Sequence, residues 1–264
     1  MNQQDKKTDL TVALLQASIV WEAPQQNRTQ YAALLQALPA EVDVAVLPEM
    51  FTTGFTMAPN AVAENMQGPT VAWLLEQAKK QHCAIVGSVA IKDGEHYYNR
   101  LLFVSPEGDL TTYDKRHTFT LAGESEVYAQ GTQDGIVEYK GWKICLRICY
   151  DLRFPVWSRN ASDYDVLLYT ANWPRPRIHA WDTLLQARAI ENMAYCIGVN
   201  RVGTDPNGHE YPGHSAVYDA LGAALCGPLE EKATALLATL NWDSLQALRT
   251  QLPFLEDRDE FELR

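Results

Sequence analysis

Three short runs in this chain, residues 42–47, Trp142–Ile148 and residues 166–170, are mostly apolar. A strand with one wet face alternates apolar and polar residues. A strand that is apolar throughout is covered on both faces. Such strands call for an α/β architecture in which helices lie over the sheet. Each run also stops at residues that carry chemistry: Pro48-Glu49 after the first, Cys149-Tyr150-Asp151 after the second, and Ala171-Asn172-Trp173-Pro174 after the third. Strand carboxyl ends are where α/β sheets gather their sites.

The surrounding pattern fits this class. Leu10–Gln16 reads as a first strand, and residues 84–91, 97–104, 110–113, 194–199, 215–218 and 236–242 as further ones. Asp93-Gly94 is a hairpin signal, so the middle of the chain adds antiparallel hairpins to an α/β start. Apolar residues at 31, 34, 35 and 38 predict a helix over 27–38. Similar spacing predicts helices over 70–81, with Pro69 near the start, and over Ile178–Asn192. On the last of these, Arg188 and Glu191 stand three residues apart, the spacing of an ion pair. Residues 203–213 read as a polar turn loop. No repeat, low-complexity tract or linker divides the chain. The expectation is a disordered segment over 1–9 and a single domain over 10–264, whose apolar tail at 252–258 docks on the body or on a partner subunit.

A chain of 264 residues, 47% hydrophobic, can bury a substantial core without disulfides or metals. Its formal net charge of −11 argues against a nucleic-acid partner. No apolar run approaches the length of a membrane span. The five cysteines, at 83, 145, 149, 196 and 226, are odd in number and irregular in spacing, which is no disulfide framework. Cys145 and Cys149 have no second pair to complete a zinc site. The expectation is therefore a soluble cytoplasmic protein with no metal and no cofactor.

A strand that stops at a cysteine and turns sharply toward a helix has the form of a nucleophile elbow. The side chain sits at the strand end and the next N–H, here that of Tyr150, points into the same space. A free thiol has a pKa near about 8.5, so only a small fraction is thiolate at neutral pH and a base is needed. Glu49 ends one apolar strand, and Lys115 follows the strand over 110–113. If these ends converge, the carboxylate takes the thiol proton, while the ammonium and the Tyr150 N–H hold an oxyanion. Among six histidines, His117 lies nearest to this group in sequence and keeps a cysteine–histidine hydrolase open. Taken singly, each of these residues also has an ordinary structural explanation: a buried thiol, a solvated acid, a surface lysine.

Taken together, Leu47-Pro-Glu49, Asp114-Lys-Arg-His117 and Arg147-Ile-Cys-Tyr-Asp-Leu-Arg-Phe154 resemble the three signature segments of the nitrilase, or carbon–nitrogen hydrolase, superfamily, in their order and spacing. The resemblance runs from Leu10 to about Leu240. It implies a four-layer α-β-β-α sandwich and a homodimer built by helix packing across the Cys149 region. It also implies a catalytic triad of Glu49, Lys115 and Cys149 with a supporting glutamate in the loop after the lysine, where Glu124 matches best and Glu126 is the alternative. The segments Tyr-x-Ala-Asn-Trp-Pro, Gln-Ala-Arg-Ala-Ile-Glu-Asn and Asn-Arg-Val-Gly-Thr-Asp are similar to those of bacterial ω-amidases. That likeness implies hydrolysis of the terminal amide of 2-oxo acids such as 2-oxoglutaramate, through a cysteine thioester. Such amides arise when glutamine or asparagine donates its amino group, methionine salvage included. Another amidase, a nitrilase, or an N-carbamoyl amino acid hydrolase would use the same triad, and a binding module would leave it inert.

The substrate's carboxylate calls for a cation, and Arg175, Arg177 and Arg201 are the candidates. Arg153 reads instead as a brace for the structure or the dimer. Tyr150, Asn172 and His117 sit beside the signature segments as substrate-binding candidates, and Phe119 and Trp173 are candidates for pocket walls.

Overall fold

A computed structural model describes residues 8–263. Two six-stranded sheets form its centre. Across the first, the strands run in the order Thr234–Leu240, Leu10–Gln16, Val44–Val46, Ala84–Asp93, His96–Val104, Leu110–Asp114. Across the second the order is Ala224–Cys226, Ala216–Tyr218, Tyr195–Asn200, Val166–Ala171, Trp142–Ile148, Ile136–Tyr139. Each sheet has three parallel strands at its middle and antiparallel strands outside them.

The apolar runs take the places their composition requires. Two of them, Trp142–Ile148 and Val166–Ala171, are central strands of the second sheet, and Val44–Val46 is central in the first. Leu14, Val46, Val86, Phe103, Leu146, Ile148, Leu168 and Val199 meet between the two sheets. On the outer face of the first sheet, Tyr31 and Leu35 of the helix Pro24–Gln36 and Leu74 and Ala78 of the helix Pro69–Gln81 close a second core. On the outer face of the second sheet, Trp181, Leu185 and Ala189 of the helix Ile178–Asn192 cover Cys145, Leu167, Tyr169 and Cys196. The layers are helix, sheet, sheet, helix, the expected four-layer sandwich. Helix and sheet touch so closely there that a Cβ at Gly198 would come within 2.4 Å of a Leu185 methyl.

Cross-strand register brings the parallel strands to a common level: Leu14 pairs with Val46 and Val46 with Val86, while Leu146 pairs with Leu168 and Leu168 with Ile197. The residues after Val46, Ile148 and Ala171 thus emerge together. No helix among the described residues is long and apolar enough to cross a membrane.

Elsewhere the chain departs from the sequence reading. Residues 203–213 are not a loop alone: Val202–Thr204 and Glu210–Pro212 pair as a hairpin. The strand expected over 236–242 runs over Thr234–Leu240, and Asn241 caps a helix, Trp242–Gln251, by accepting the Ser244 N–H at 2.7 Å. The short strands Ile136–Tyr139 and Ala224–Cys226 were too brief to show a period. At the N-terminus, residues 1–7 of the segment expected to be disordered lie outside the described residues. Thr8 and Asp9 are tied down, Thr8 by its carbonyl accepting the Trp142 indole N–H and Asp9 by its carboxylate accepting from the Asn241 amide. The C-terminal tail lies back on the body, where Arg258 donates to the Asn160 carbonyl and to Asp163.

Candidate active site

Glu49, Lys115 and Glu124 have 0%, 1% and 0% of their surface exposed, so three charges sit together without water. Burying an ion is costly unless partners replace its hydration. Here the Lys115 ammonium donates to Glu49 Oε1 at 2.9 Å and to both oxygens of Glu124 at 3.1 and 2.9 Å. Asn99, from the middle of the strand His96–Val104, donates to Glu49 Oε1 at 2.8 Å and to Glu124 Oε1 at 3.2 Å. The Phe119 N–H closes on Glu124 Oε2 at 2.5 Å. The second oxygen of Glu49 accepts the Asn172 N–H at 2.9 Å. Every carboxylate oxygen is therefore accounted for. The glutamate that meets the lysine is Glu124, whereas Glu126 is exposed.

Cys149 faces this group from the other sheet. Its backbone lies in the left-handed region, φ 42°, a conformation that non-glycine residues adopt only when their surroundings hold them there. The sulfur lies 4.0 Å from the Asn172 carbonyl. Burial pushes its thiol well above the ordinary range, and the Glu49 carboxylate adds to that shift, outweighing the pull of the Lys115 ammonium. The resting group is thus a thiol, not a thiolate. The carboxylates of Glu124 and Glu49 hold Lys115 protonated against its burial. Burial and the nearby Glu49 raise the Glu124 carboxyl. With two carboxylates and one ammonium, the cluster carries a net negative charge when all three are ionised, which suits it to receive one proton.

The thiol opens into a cavity. Phe55, Phe119, Tyr150 and Trp173 wall it, and Tyr211 and His209 reach in from the hairpin that sequence reading took for a loop. Besides Lys115, two arginines line it, and each lies over an aromatic face: Arg177 over Phe119, 5.2 Å from the ring centre, and Arg153 over Trp173 at 5.0 Å.

Several expected positions need correction. Arg175 is turned away from the cavity; its guanidinium bonds the exposed carboxylates of Glu210, Glu230 and Glu231. Arg201 is buried behind Tyr211 and donates to the Ile19 carbonyl. Arg153, read as a brace, lines the cavity instead. His117 does not face the thiol: its ring stacks on Phe154 at 3.6 Å and bonds the buried Asp151 carboxylate at 2.8 Å. That removes the cysteine–histidine alternative. Asn99, Phe55, His209 and Tyr211 join the site without being among the site residues expected from sequence. The signal for Asn99 is a polar residue within a strand whose later part is apolar.

The carbon–nitrogen hydrolase family matches this chain over residues 11–250. Among curated proteins, the omega-amidase YafV of Yersinia enterocolitica is 46% identical, with 96% of this chain and 98% of the relative aligned. The 2-oxoglutaramate amidase of Bacillus subtilis is 33% identical, over 94% of this chain and 96% of its own. Among solved structures, a CN-hydrolase superfamily protein from Xanthomonas campestris superposes with a TM-score of 0.94 at 43% identity, covering 97% of this chain and 99% of that one. Fold, sequence and the grouping of Glu49, Lys115 and Cys149 agree: this chain is an enzyme of the carbon–nitrogen hydrolase family, with the nitrilase fold.

Proposed function

We propose that the chain is an ω-amidase that hydrolyses the terminal amide of a 2-oxo dicarboxylic acid monoamide, 2-oxoglutaramate or 2-oxosuccinamate, to the 2-oxo acid and ammonia. The observation that carries the reaction is the buried Lys115 ammonium, bracketed by Glu49 and Glu124 beside a protonated Cys149. The substrate class draws support from relatives named omega-amidase at 44–46% identity and from two guanidiniums in the cavity wall.

In this reading Cys149 Sγ attacks the amide carbon while Glu49 takes the thiol proton. The carbonyl oxygen becomes an oxyanion held by the Lys115 ammonium and the Tyr150 N–H. Glu49 returns the proton to the departing nitrogen, and ammonia leaves a thioester. Glu49 then takes a proton from water, which attacks the thioester. The C–S bond breaks as Glu49 gives that proton to the departing sulfur, so the carboxylic acid forms and both the thiol and the Glu49 carboxylate are restored. Glu124 keeps the ammonium in place. Asn172 orients Glu49 through its N–H, and Arg153 and Arg177 receive the substrate carboxylate. The local cations let a chain of net charge −11 bind an anion. We place the reaction in the cytoplasm, as a step that clears amides left by transamination, including methionine salvage, with no nucleic-acid partner. The exposed apolar side chains of Val156, Phe261 and Leu263 support a homodimer.

An ammonia-release panel of 2-oxoglutaramate, glutamine, a simple nitrile and an N-carbamoyl amino acid tests the assignment. The expected result is fastest turnover of 2-oxoglutaramate and none by Cys149→Ala with its fold intact. Best turnover of the nitrile or the carbamoyl compound refutes the substrate class, and an active Cys149→Ala refutes the mechanism.

A further inference from the structure

Between the lysine and cysteine segments lies a further buried carboxylate, which the chemistry above does not use. Asp151 is fully buried and accepts four hydrogen bonds. Its Oδ2 takes the Tyr113 hydroxyl at 2.7 Å and the Ile148 N–H at 3.0 Å. Its Oδ1 takes the His117 N–H at 3.0 Å and the His117 ring at 2.8 Å. Tyr113 and His117 stand two residues to either side of Lys115, and Ile148 immediately precedes Cys149. One carboxylate thus touches the backbone on both sides of the join between the two segments.

The donors are themselves held. The Tyr113 hydroxyl accepts the Trp157 indole N–H at 2.9 Å, and the His117 ring stacks on Phe154. The Arg147 guanidinium lies over Trp157 and Tyr113, at 4.8 and 5.4 Å, and offsets the buried negative charge. The bond from Ile148 closes the turn in which Cys149 adopts its positive φ, a conformation that needs outside support. We propose that Asp151 is the positioning residue of this active site, clasping the Lys115 segment to the Cys149 turn so that the thiol stands against Glu49 and the Tyr150 N–H faces the oxyanion. The clasp rests on the triad assigned above, but not on which amide is hydrolysed.

Asparagine is the informative replacement. It keeps size and shape, yet whichever side its NH₂ occupies meets a backbone N–H, of Ile148 or of His117, so one arm of the clasp opens. The experiment measures kcat and KM for 2-oxoglutaramate, the rate of iodoacetamide alkylation of Cys149 without substrate, and the thermal melt. For Asp151→Asn the expected result is a folded protein with kcat down about 100-fold, the cost of a misplaced reacting group, and KM changed less than about threefold. Alkylation slows, because the thiol loses its base. Tyr113→Phe removes one donor and no charge; it keeps the question open to test if the asparagine variant fails to fold, and should show the same pattern at about tenfold. A kcat within about threefold of wild type in the folded variants overturns the proposal. So does faster alkylation, since a merely loosened turn would expose the thiol. Failure of wild type to hydrolyse 2-oxoglutaramate strikes the substrate assignment alone: the alkylation rates still decide the clasp.

Discussion

Replacing Lys115 by alanine would take the one cation out of the buried group, and its consequences can be separated into folding and chemistry. Lys115 donates to three carboxylate oxygens of Glu49 and Glu124, none of which reaches water. Without it two carboxylates share the Asn99 amide as their common donor. Removing one partner of a buried ion pair costs about 3–5 kcal/mol. The cost does not double, because one carboxyl takes up a proton and donates to the other. Of a total stability of about 5–15 kcal/mol that is a large share, and for a chain of this size it lowers the melting temperature by roughly 10 °C. The chemical loss adds to it. An oxyanion donor is worth about 100- to 1,000-fold in kcat, and Glu49 also loses its anchor, so kcat falls by about 10,000-fold or more. The double variant Lys115→Met/Glu124→Gln tells the two apart. Removing the surplus acid should restore most of the melting temperature and none of the turnover. Calorimetry and ammonia release measure both. A single variant that melts with wild type refutes the account of the buried charges, and one that keeps a tenth of wild-type kcat refutes the oxyanion role.

Two further outcomes follow from the cavity and the core. Arg177→Ala should raise KM for 2-oxoglutaramate about 10- to 100-fold, the loss of a charge-assisted bond, but leave KM for an uncharged short-chain amide within about threefold; Arg175→Ala should change neither. Equal effects of the two substitutions would remove Arg177 from the carboxylate site. Stability should also fall steeply in alkali. Burial raises the Tyr31, Tyr128, Tyr164 and Tyr169 phenols, and the neighbouring acids raise Lys115, so the folded chain keeps protons that the unfolded chain releases above about pH 10. These groups contribute fully below that pH and their contribution is lost as pH rises through it. Urea unfolding at pH 8, 10 and 11, with tyrosinate absorbance followed in parallel, checks the sign; ionisation of the phenols well before unfolding would contradict it.

The layered fold was legible because its signals are local. An apolar run of five to seven residues has nowhere to go but the inside of a covered sheet, and the 3.6-residue period of the helix Ile178–Asn192 marks the face that packs. Glu49, Lys115 and Cys149 stood out because each follows a strand, and the four-layer arrangement followed from their likeness to a family. What lies across the cavity from them has no local signature. Arg175 and Arg177 are two residues apart in sequence, yet a short helical turn sends one toward three surface glutamates and the other over Phe119. His117 looked like a spare base; only the approach of Asp151, thirty-four positions along the chain, makes it part of a clasp. Asn99, His209 and Tyr211 enter the site through strand pairing and a hairpin fold. Which residue types stand at the strand ends is legible in the sequence, since strand burial and residue type are properties of short segments. Which side chains stand around them was decided by the tertiary structure, because that depends on turns and sheet contacts that join residues remote in sequence.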